Sequence, residues 1–123
     1  MTEPPPARLL IVEDHPDIRV ALRRLLALRG WDVVEAATVA EGLAQLSPPP
    51  ACVVLDLMLP DGDGALVLLT IRSEGLPSRV FVYTASYDLD RLGRISSLTP
   101  DAVFLKATDL ARLLHACGSP PPN

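Results

Sequence analysis

The chain is poor in aromatic residues, cysteine and lysine, and these shortages exclude several kinds of site. Aromatic residues make up 4% of the 123 residues, too few for the ring sandwich that a flavin cofactor needs. The two cysteines, Cys52 and Cys117, lie far apart in the sequence and in apolar surroundings. We therefore interpret them as reduced core residues, and not as a disulfide or a metal-binding pair.

Basic charge and long apolar runs are also scarce. The net charge of −4 argues against a nucleic-acid-binding surface. No apolar run approaches the roughly 20 residues that a membrane-spanning helix needs. The N-terminal sequence MTEPPPA has no basic region followed by an apolar stretch, as a signal peptide would. We therefore expect a cytoplasmic domain that binds neither nucleic acid directly nor a membrane.

The chain instead has short apolar runs that alternate with segments of helical spacing. The runs predict five strands, at Arg8–Val12, Trp31–Ala36, Ala51–Leu55, Arg79–Thr84 and Ala102–Leu105. The predicted helices follow these strands in turn, over residues 18–26, 38–46, 65–72, 88–97 and 110–117, and Thr38 and Glu41 have the spacing of a capping box. Repeated βα units in one short chain predict a parallel sheet covered by helices on both faces.

Polar residues follow four of the predicted strands. Glu13 and Asp14 come after the first strand, Asp56 after the third, Thr84 ends the fourth, and Lys106 comes after the fifth. Each is an ordinary turn, cap or surface residue when taken alone. In parallel α/β sheets, however, ligands bind at the carboxyl ends of the strands, where the strand order reverses. The joint placement therefore predicts one site.

Three carboxylates in one cleft would repel one another unless they bind a hard cation. Mg²⁺ takes a few carboxylates and leaves positions for phosphate oxygens. A carboxylate can attack phosphorus and form an acyl phosphate, and phosphoryl transfer needs mainly alignment and neutralised oxygens. The Lys106 ammonium and the Thr84 hydroxyl suit that task. Lys106 is also the single lysine beside ten arginines, and a compact ammonium fits a crowded cleft better than a planar guanidinium.

With these residues in place, the sequence closely resembles the response regulator receiver domains. LLIVEDHPDIR resembles the family's first strand and acidic loop, and VVLDLMLPDGDG, residues 53–64, resembles its phosphoacceptor motif. VFVYTAS and VFLKA resemble the ends of its fourth and fifth strands. The phosphoacceptor segment is specific, whereas the others are weak singly and strong together.

The resemblance implies a flavodoxin-like α/β/α sandwich with five helices and a parallel sheet of order 2-1-3-4-5. It implies that Asp56 is phosphorylated, with Thr84 and Lys106 as catalytic partners. It also implies that Asp56, Asp14 and the backbone carbonyl of Met58 bind Mg²⁺, with Glu13 acting mostly through water and Mn²⁺ as a substitute. Pro60 and either Gly62 or Gly64 would shape the loop around the ion.

The implied function is phosphorelay signalling, with a sensor histidine kinase or a histidine phosphotransfer protein as the donor. The domain would be a regulatory phosphoacceptor and not an enzyme, apart from its own phosphorylation and dephosphorylation. It would dimerise, if at all, through the face of helix 4, strand 5 and helix 5. We expect a disordered segment at residues 1–6, the receiver domain at 7–117, and a tail or a linker to an effector domain at 118–123.

The chain departs from the family pattern at two positions. Ala107 replaces the proline that usually follows the lysine, and Val103 replaces an aromatic switch residue, with Phe104 expected on the opposite face of the strand. Two alternatives share the fold: a flavodoxin-type redox carrier and a degenerate receiver that only binds proteins. The acidic loop after strand one disfavours the first, since it would repel a flavin phosphate. The complete set of chemical residues disfavours the second.

Several remaining polar and aromatic residues are interpreted as structural. We expect His15 in an exposed loop, and His115 partly buried or on the surface without a catalytic role. Asp61 and Asp63 flank glycines and are interpreted as turn formers. Trp31 and Tyr87 are interpreted as packing residues.

Overall fold

The computed structural model describes residues 7–85 and 89–121, and strands and helices alternate along these ranges. The strands are β1 (Arg8–Val12), β2 (Asp32–Ala36), β3 (Cys52–Leu55), β4 (Met58–Leu59), β5 (Gly62–Asp63), β6 (Arg79–Thr84) and β7 (Ala102–Leu105). The helices are α1 (Pro16–Ala27), α2 (Val39–Ala44), α3 (Ala65–Ser73), α4 (Leu89–Ser97) and α5 (Leu110–Cys117). The predictions for Tyr87 and for segment 1–6 lie outside the described residues.

The main sheet is parallel and has the order β2-β1-β3-β6-β7. Because β4 and β5 form a separate pair, this order is the predicted 2-1-3-4-5, and the flavodoxin-like fold is confirmed. The chain passes from β1 outward to β2 and then returns to β3 on the other side. The strand order therefore reverses between β1 and β3, which is the place where such sheets bind ligands.

Alternate residues of each strand enter two separate cores, one on each face of the sheet. One core joins Leu10, Val53 and Val80 to helices α2, α3 and α4. The other joins Leu9 and Val54 to helices α1 and α5. Because both faces of the central strands are covered, β1 and β3 need unbroken apolar sequence. Among the described residues, no helix is both long and apolar enough to cross a membrane.

Trp31 precedes β2 instead of belonging to it, and it packs against the segment that follows α5. The indole is 4% exposed, and its Nε1 donates a hydrogen bond to the carbonyl oxygen of Gly118 at 2.9 Å. The interpretation of Trp31 as a packing residue is confirmed. Its hydrogen bond fastens the first residue after α5 to the start of β2.

The segment after β3 contains a small antiparallel hairpin that the sequence did not predict. Met58 pairs with Asp63, and Leu59 pairs with Gly62. Two-residue strands are too short to show an alternating pattern, so only turn residues mark this segment. Gly62 has a φ of +151°, a conformation that residues with a Cβ rarely adopt.

Helix α2 begins with the predicted capping box and with a second, distant cap. The Thr38 Oγ1 accepts a hydrogen bond from the Glu41 N–H at 3.0 Å. The Asp61 carboxylate accepts hydrogen bonds from the N–H groups of Val39 at 2.8 Å and Ala40 at 3.0 Å. These bonds hold the pKa of Asp61 below its ordinary value. The interpretation of Asp61 as a turn former was incomplete, because the side chain also ties α2 to the hairpin.

The two cysteines are free and buried, as predicted. Their side chains lie in the same core. The Cys117 thiol, together with burial, raises the pKa of the Cys52 thiol far above its ordinary value. Cys52 is therefore an uncharged core residue.

Candidate functional site

Three carboxylates converge at the carboxyl ends of β1 and β3. One ligand oxygen from each of Glu13, Asp14 and Asp56 lies within 4.8 Å of the others. The sheet itself positions them, because its hydrogen bonds continue one residue past each strand. The Glu13 N–H donates to the Ala36 carbonyl at 2.9 Å, and the Asp56 N–H donates to the Val12 carbonyl at 2.9 Å.

The three carboxylates differ in their contact with solvent. Glu13 is 2% exposed and Asp56 is 5% exposed, whereas Asp14 is exposed. A buried carboxylate is costly unless it is paired and hydrogen-bonded. The site must therefore supply partners for Glu13 and Asp56, while Asp14 is the carboxylate that solvent reaches.

Lys106 supplies a partner for both buried carboxylates. Its Nζ lies 2.7 Å from Glu13 Oε2 and 3.1 Å from Asp56 Oδ2. Burial lowers the pKa of Lys106, but the hydrogen bonds and charges of Glu13 and Asp56 outweigh that effect, and the pKa is raised. Burial raises the pKa of Glu13, although the Lys106 hydrogen bond opposes it. The ammonium is thus held in its charged form between two carboxylates.

The charges of the cluster suit a divalent cation. With its carboxylates counted as ionised, the cluster together with the Lys106 ammonium has a formal charge of −2. All the side-chain ligands are carboxylate oxygens, the hard donors that Mg²⁺ and Ca²⁺ prefer. The described residues therefore fit the metal that the sequence predicts.

Backbone N–H groups complete the pairing of the buried carboxylates. The Met58 N–H donates to Asp56 Oδ1 at 3.3 Å, and the His15 N–H donates to Glu13 Oε1 at 3.2 Å. The Met58 side chain is 59% exposed, so the contact with Asp56 comes from its backbone. His15 itself is exposed, as predicted.

Thr84 and Lys106 come from neighbouring strands. Thr84 is completely buried at the end of β6, and β6 pairs with β3, the strand that precedes Asp56. The Thr84 carbonyl accepts a hydrogen bond from the Lys106 N–H at 2.9 Å. The sheet thereby brings Thr84 and Lys106 to the same end as the three carboxylates.

Arg19 anchors the acidic loop from the side of helix α1. Its Nη1 donates to the carbonyl of Glu13 at 2.9 Å and to that of Asp14 at 3.3 Å. Its Nε lies 3.3 Å from Glu35 Oε1, and Glu35 also pairs with Arg23 at 3.4 Å. Arg19 was not predicted as a functional residue, because an arginine on an amphipathic helix gives no sign of its backbone partners.

Arg91 contacts the other side of the site from helix α4. Its Nη2 donates to the Leu57 carbonyl at 2.9 Å and to Asp63 Oδ1 at 3.0 Å. Asp63 Oδ1 also accepts the Ala65 N–H at 2.9 Å. Asp63, which the sequence indicated as a turn former, thus also joins α3 to α4. No sequence motif marks Arg91.

Val103 and Phe104 lie on opposite faces of β7, as the sequence predicts. Val103 packs against the core beneath α2, α3 and α4, whereas Phe104 packs in the opposite core. The Phe104 ring lies 6.1 Å from the Phe81 ring in an edge-on arrangement. The two side chains therefore point to opposite faces of β7. His115 is exposed on α5, within the range predicted for it.

Comparison with known proteins gives one consistent family. The family model described as "Response regulator receiver domain" matches residues 9–117. The virulence factors putative positive transcription regulator BvgA of Bordetella pertussis is 39% identical over 79 residues, which cover 63% of this chain and 38% of that protein. The transcriptional regulatory protein TrcR of Mycobacterium tuberculosis is 33% identical over 98 residues, which cover 79% of this chain and 37% of that protein.

Solved structures agree with this assignment. The crystal structure of a CheY-like response regulator receiver domain protein from Methanospirillum hungatei superposes with a TM-score of 0.84 at 25% identity, covering 92% of this chain and 91% of that one. The curated relatives are longer, and the matched region spans less than two fifths of their length.

Proposed function

The chain belongs to the response regulator receiver domain family, and from that premise we propose that it accepts a phosphoryl group on Asp56 in a Mg²⁺-dependent reaction. One observation carries the proposal. The Lys106 ammonium lies between Asp56 and Glu13, at 3.1 and 2.7 Å, in a cluster that Asp14 completes. Asp56 is the member of this cluster that also accepts an N–H from the loop after β3.

In the proposed reaction a carboxylate oxygen of Asp56 attacks the phosphorus of the donor. A bond forms between that oxygen and phosphorus, the bond from phosphorus to the donor atom breaks, and the leaving group keeps the electron pair. For a phosphohistidine donor, the leaving imidazole takes a proton from solvent. Lys106 is assigned to neutralise charge on the phosphoryl oxygens and the Thr84 hydroxyl to donate a hydrogen bond to them, since transfer needs alignment and charge stabilisation more than covalent help.

The proposed metal ligands are the carboxylates of Asp14 and Asp56 and the backbone carbonyl of Met58. Glu13 is assigned a role through a bound water, as the family resemblance implies, while its Oε2 pairs with Lys106 at 2.7 Å. When bound, Mg²⁺ supplies positive charge that stabilises the phosphoryl oxygens. Mn²⁺ is the expected substitute, because it accepts the same oxygen ligands.

The proposed donor is a sensor histidine kinase or a histidine phosphotransfer protein, and the proposed compartment is the cytoplasm. We assign the receiver to residues 7–117, with residues 118–123 as a tail or the start of a linker. The matched region spans less than two fifths of the length of the curated relatives. We therefore also propose that this receiver domain acts on an effector domain. Any dimer is assigned to the face formed by α4, β7 and α5.

The test is phosphorylation by acetyl phosphate. With Mg²⁺, the wild type should gain the mass of one phosphoryl group, and hydroxylamine should remove it as it removes acyl phosphates. Asp56→Asn should gain nothing. Asp17→Asn, which alters an exposed carboxylate in the first turn of α1, should label like the wild type. Labelling that persists in Asp56→Asn would show that another residue is the acceptor.

A further inference from the structure

One peptide group connects the Asp56 carboxylate to helix α4. Its N–H belongs to Met58 and donates to Asp56 Oδ1 at 3.3 Å. Its carbonyl belongs to Leu57 and accepts from Arg91 Nη2 at 2.9 Å. A peptide group is a rigid plane, so the orientation of its carbonyl also sets the orientation of its N–H.

Other contacts also restrain this peptide group, but Arg91 is the contact that comes from outside the loop. The Leu57 side chain is buried in the core, 1% exposed, and the Leu57 carbonyl also accepts the Gly64 N–H at 2.9 Å. The same Arg91 nitrogen donates to Asp63 Oδ1 at 3.0 Å. Arg91 therefore holds both the start and the end of the loop between β3 and α3, and it does so from an element outside that loop.

We infer that Arg91 is a positioning residue for the phosphoacceptor, acting through the Leu57–Met58 peptide group. The inference rests on the proposed function, because it assigns Arg91 to the site where Asp56 is phosphorylated. By holding the Leu57 carbonyl, Arg91 keeps the Met58 N–H directed at Asp56 and orients the loop that carries the proposed Met58 ligand.

The same contact makes helix α4 sensitive to the charge at Asp56. Hydrogen bonds on the two ends of one amide polarise each other, so a stronger acceptor at the N–H strengthens the bond at the carbonyl. A phosphoryl group on Asp56 adds negative charge beside the Met58 N–H. The bond between the Leu57 carbonyl and Arg91 should strengthen in response, so by linkage the loss of Arg91 should destabilise the phosphorylated state more than the unmodified state.

Arg94 offers a matched control on the same helix. Arg91 and Arg94 both line a shallow depression of about 410 Å³ beside Leu57 and Met58. Arg94 is exposed, whereas the Arg91 side chain is only 23% exposed. Arg91→Met removes the donor but keeps much of the side-chain length. Arg91→Lys keeps the charge and one donor nitrogen, and Arg94→Met removes an equal charge from the same helix.

The first measurement needs no phosphorylation. In ¹⁵N–¹H spectra of the unmodified protein, the Met58 amide resonance should move in Arg91→Met, move less in Arg91→Lys, and stay unchanged in Arg94→Met. The second measurement is the rate of labelling by acetyl phosphate. It should fall about fivefold in Arg91→Met, the factor to which the net contribution of one hydrogen bond corresponds. The third measurement uses beryllofluoride, a mimic of the bound phosphoryl group. The shifts that it causes in the α4 amide resonances should be smaller in Arg91→Met than in the wild type, but not in Arg94→Met.

The outcomes separate this inference from the proposed function. A wild type that is not labelled, combined with a Met58 amide that responds to Arg91→Met, would overturn phosphorylation but support the positioning role. A labelled wild type, with Arg91→Met unchanged in its Met58 amide and its rate, would overturn the positioning role. Equal effects of Arg91→Met and Arg94→Met would also overturn it, since net charge would then explain both.

Discussion

Gly64 lies so close to Asp56 that a Cβ built on residue 64 would stand 2.1 Å from the Asp56 carbonyl oxygen. The backbone of Gly64 is itself ordinary, with φ −58°, so close approach and not conformation requires glycine here. Gly64→Ala should therefore displace the loop after β3 and lower the free energy of unfolding by about 1–3 kcal/mol, as overpacking does.

Urea unfolding would measure this cost, with labelling by acetyl phosphate as the functional readout. Gly93→Ala is the control, because a Cβ there meets no atom within 4 Å and lies inside α4. It should raise stability by up to about 1 kcal/mol. A Gly64→Ala variant as stable and as active as the wild type would contradict the close approach.

Asp14 and Glu13 should differ in their effect on Mg²⁺ affinity. Glu13→Ala removes a carboxylate that already pairs with Lys106 at 2.7 Å, and we expect a loss of about tenfold, as for an outer ligand partner. Asp14→Ala removes a proposed direct ligand and should cost more. Calorimetric titration with Mg²⁺ measures both, and Asp17→Ala should leave the affinity unchanged. Equal affinities for the wild type and Asp14→Ala would refute the metal site.

Lys106→Arg keeps the positive charge but replaces a compact ammonium group with a planar guanidinium group. Nζ is enclosed by two carboxylates, and the side chain is 15% exposed, so a planar guanidinium cannot take the same position. We expect a loss of about 1.5 kcal/mol, roughly tenfold in beryllofluoride affinity, as when one charged hydrogen bond is lost. Fluorine NMR would measure the affinity. Full retention would mean that charge alone suffices.

The Asp61 cap should make stability depend on pH in a defined direction. The N–H groups of Val39 and Ala40 lower the pKa of Asp61 in the folded state from its ordinary 3.8. A depressed pKa stabilises the fold above the unfolded-state pKa, and that contribution is lost as the pH falls through the folded-state pKa. The stability difference between the wild type and Asp61→Asn should therefore be largest at neutral pH and shrink in acid.

Urea unfolding of both proteins across this pH range tests the prediction. Asp17→Asn provides the control for removing one exposed carboxylate. If the Asp61→Asn difference stays constant from neutral pH into acid, the N–H contacts do not favour the ionised carboxylate.

The strands could be predicted because each is a short apolar run between turn residues and helical segments. Three predicted ranges, Arg8–Val12, Arg79–Thr84 and Ala102–Leu105, match the structure residue for residue. The other two strands were each predicted one residue too long at the start, at Trp31 and Ala51. Hydrophobicity shows that a residue is buried but not whether its backbone belongs to a strand. Trp31 is buried, but β2 begins only at the next residue.

The candidate site was predictable where residues sit directly at strand ends. Glu13, Asp14, Asp56 and Lys106 meet because neighbouring parallel strands end together. The contacts of Arg91 and Asp61 were not predictable, because neither residue lies at the end of a strand of the main sheet. Such contacts depend on how a helix lies against a loop, which residue spacing does not determine.

The hydrogen bond from Trp31 to Gly118 gives the domain a built-in optical probe. Trp31 is the single tryptophan of the chain, and its indole is both nearly enclosed and bonded to the residue just past α5. Indole emission shifts to longer wavelength when water reaches the ring. Tryptophan fluorescence therefore reports on one place only, the junction where the polypeptide leaves the last helix, and follows its release without any attached label.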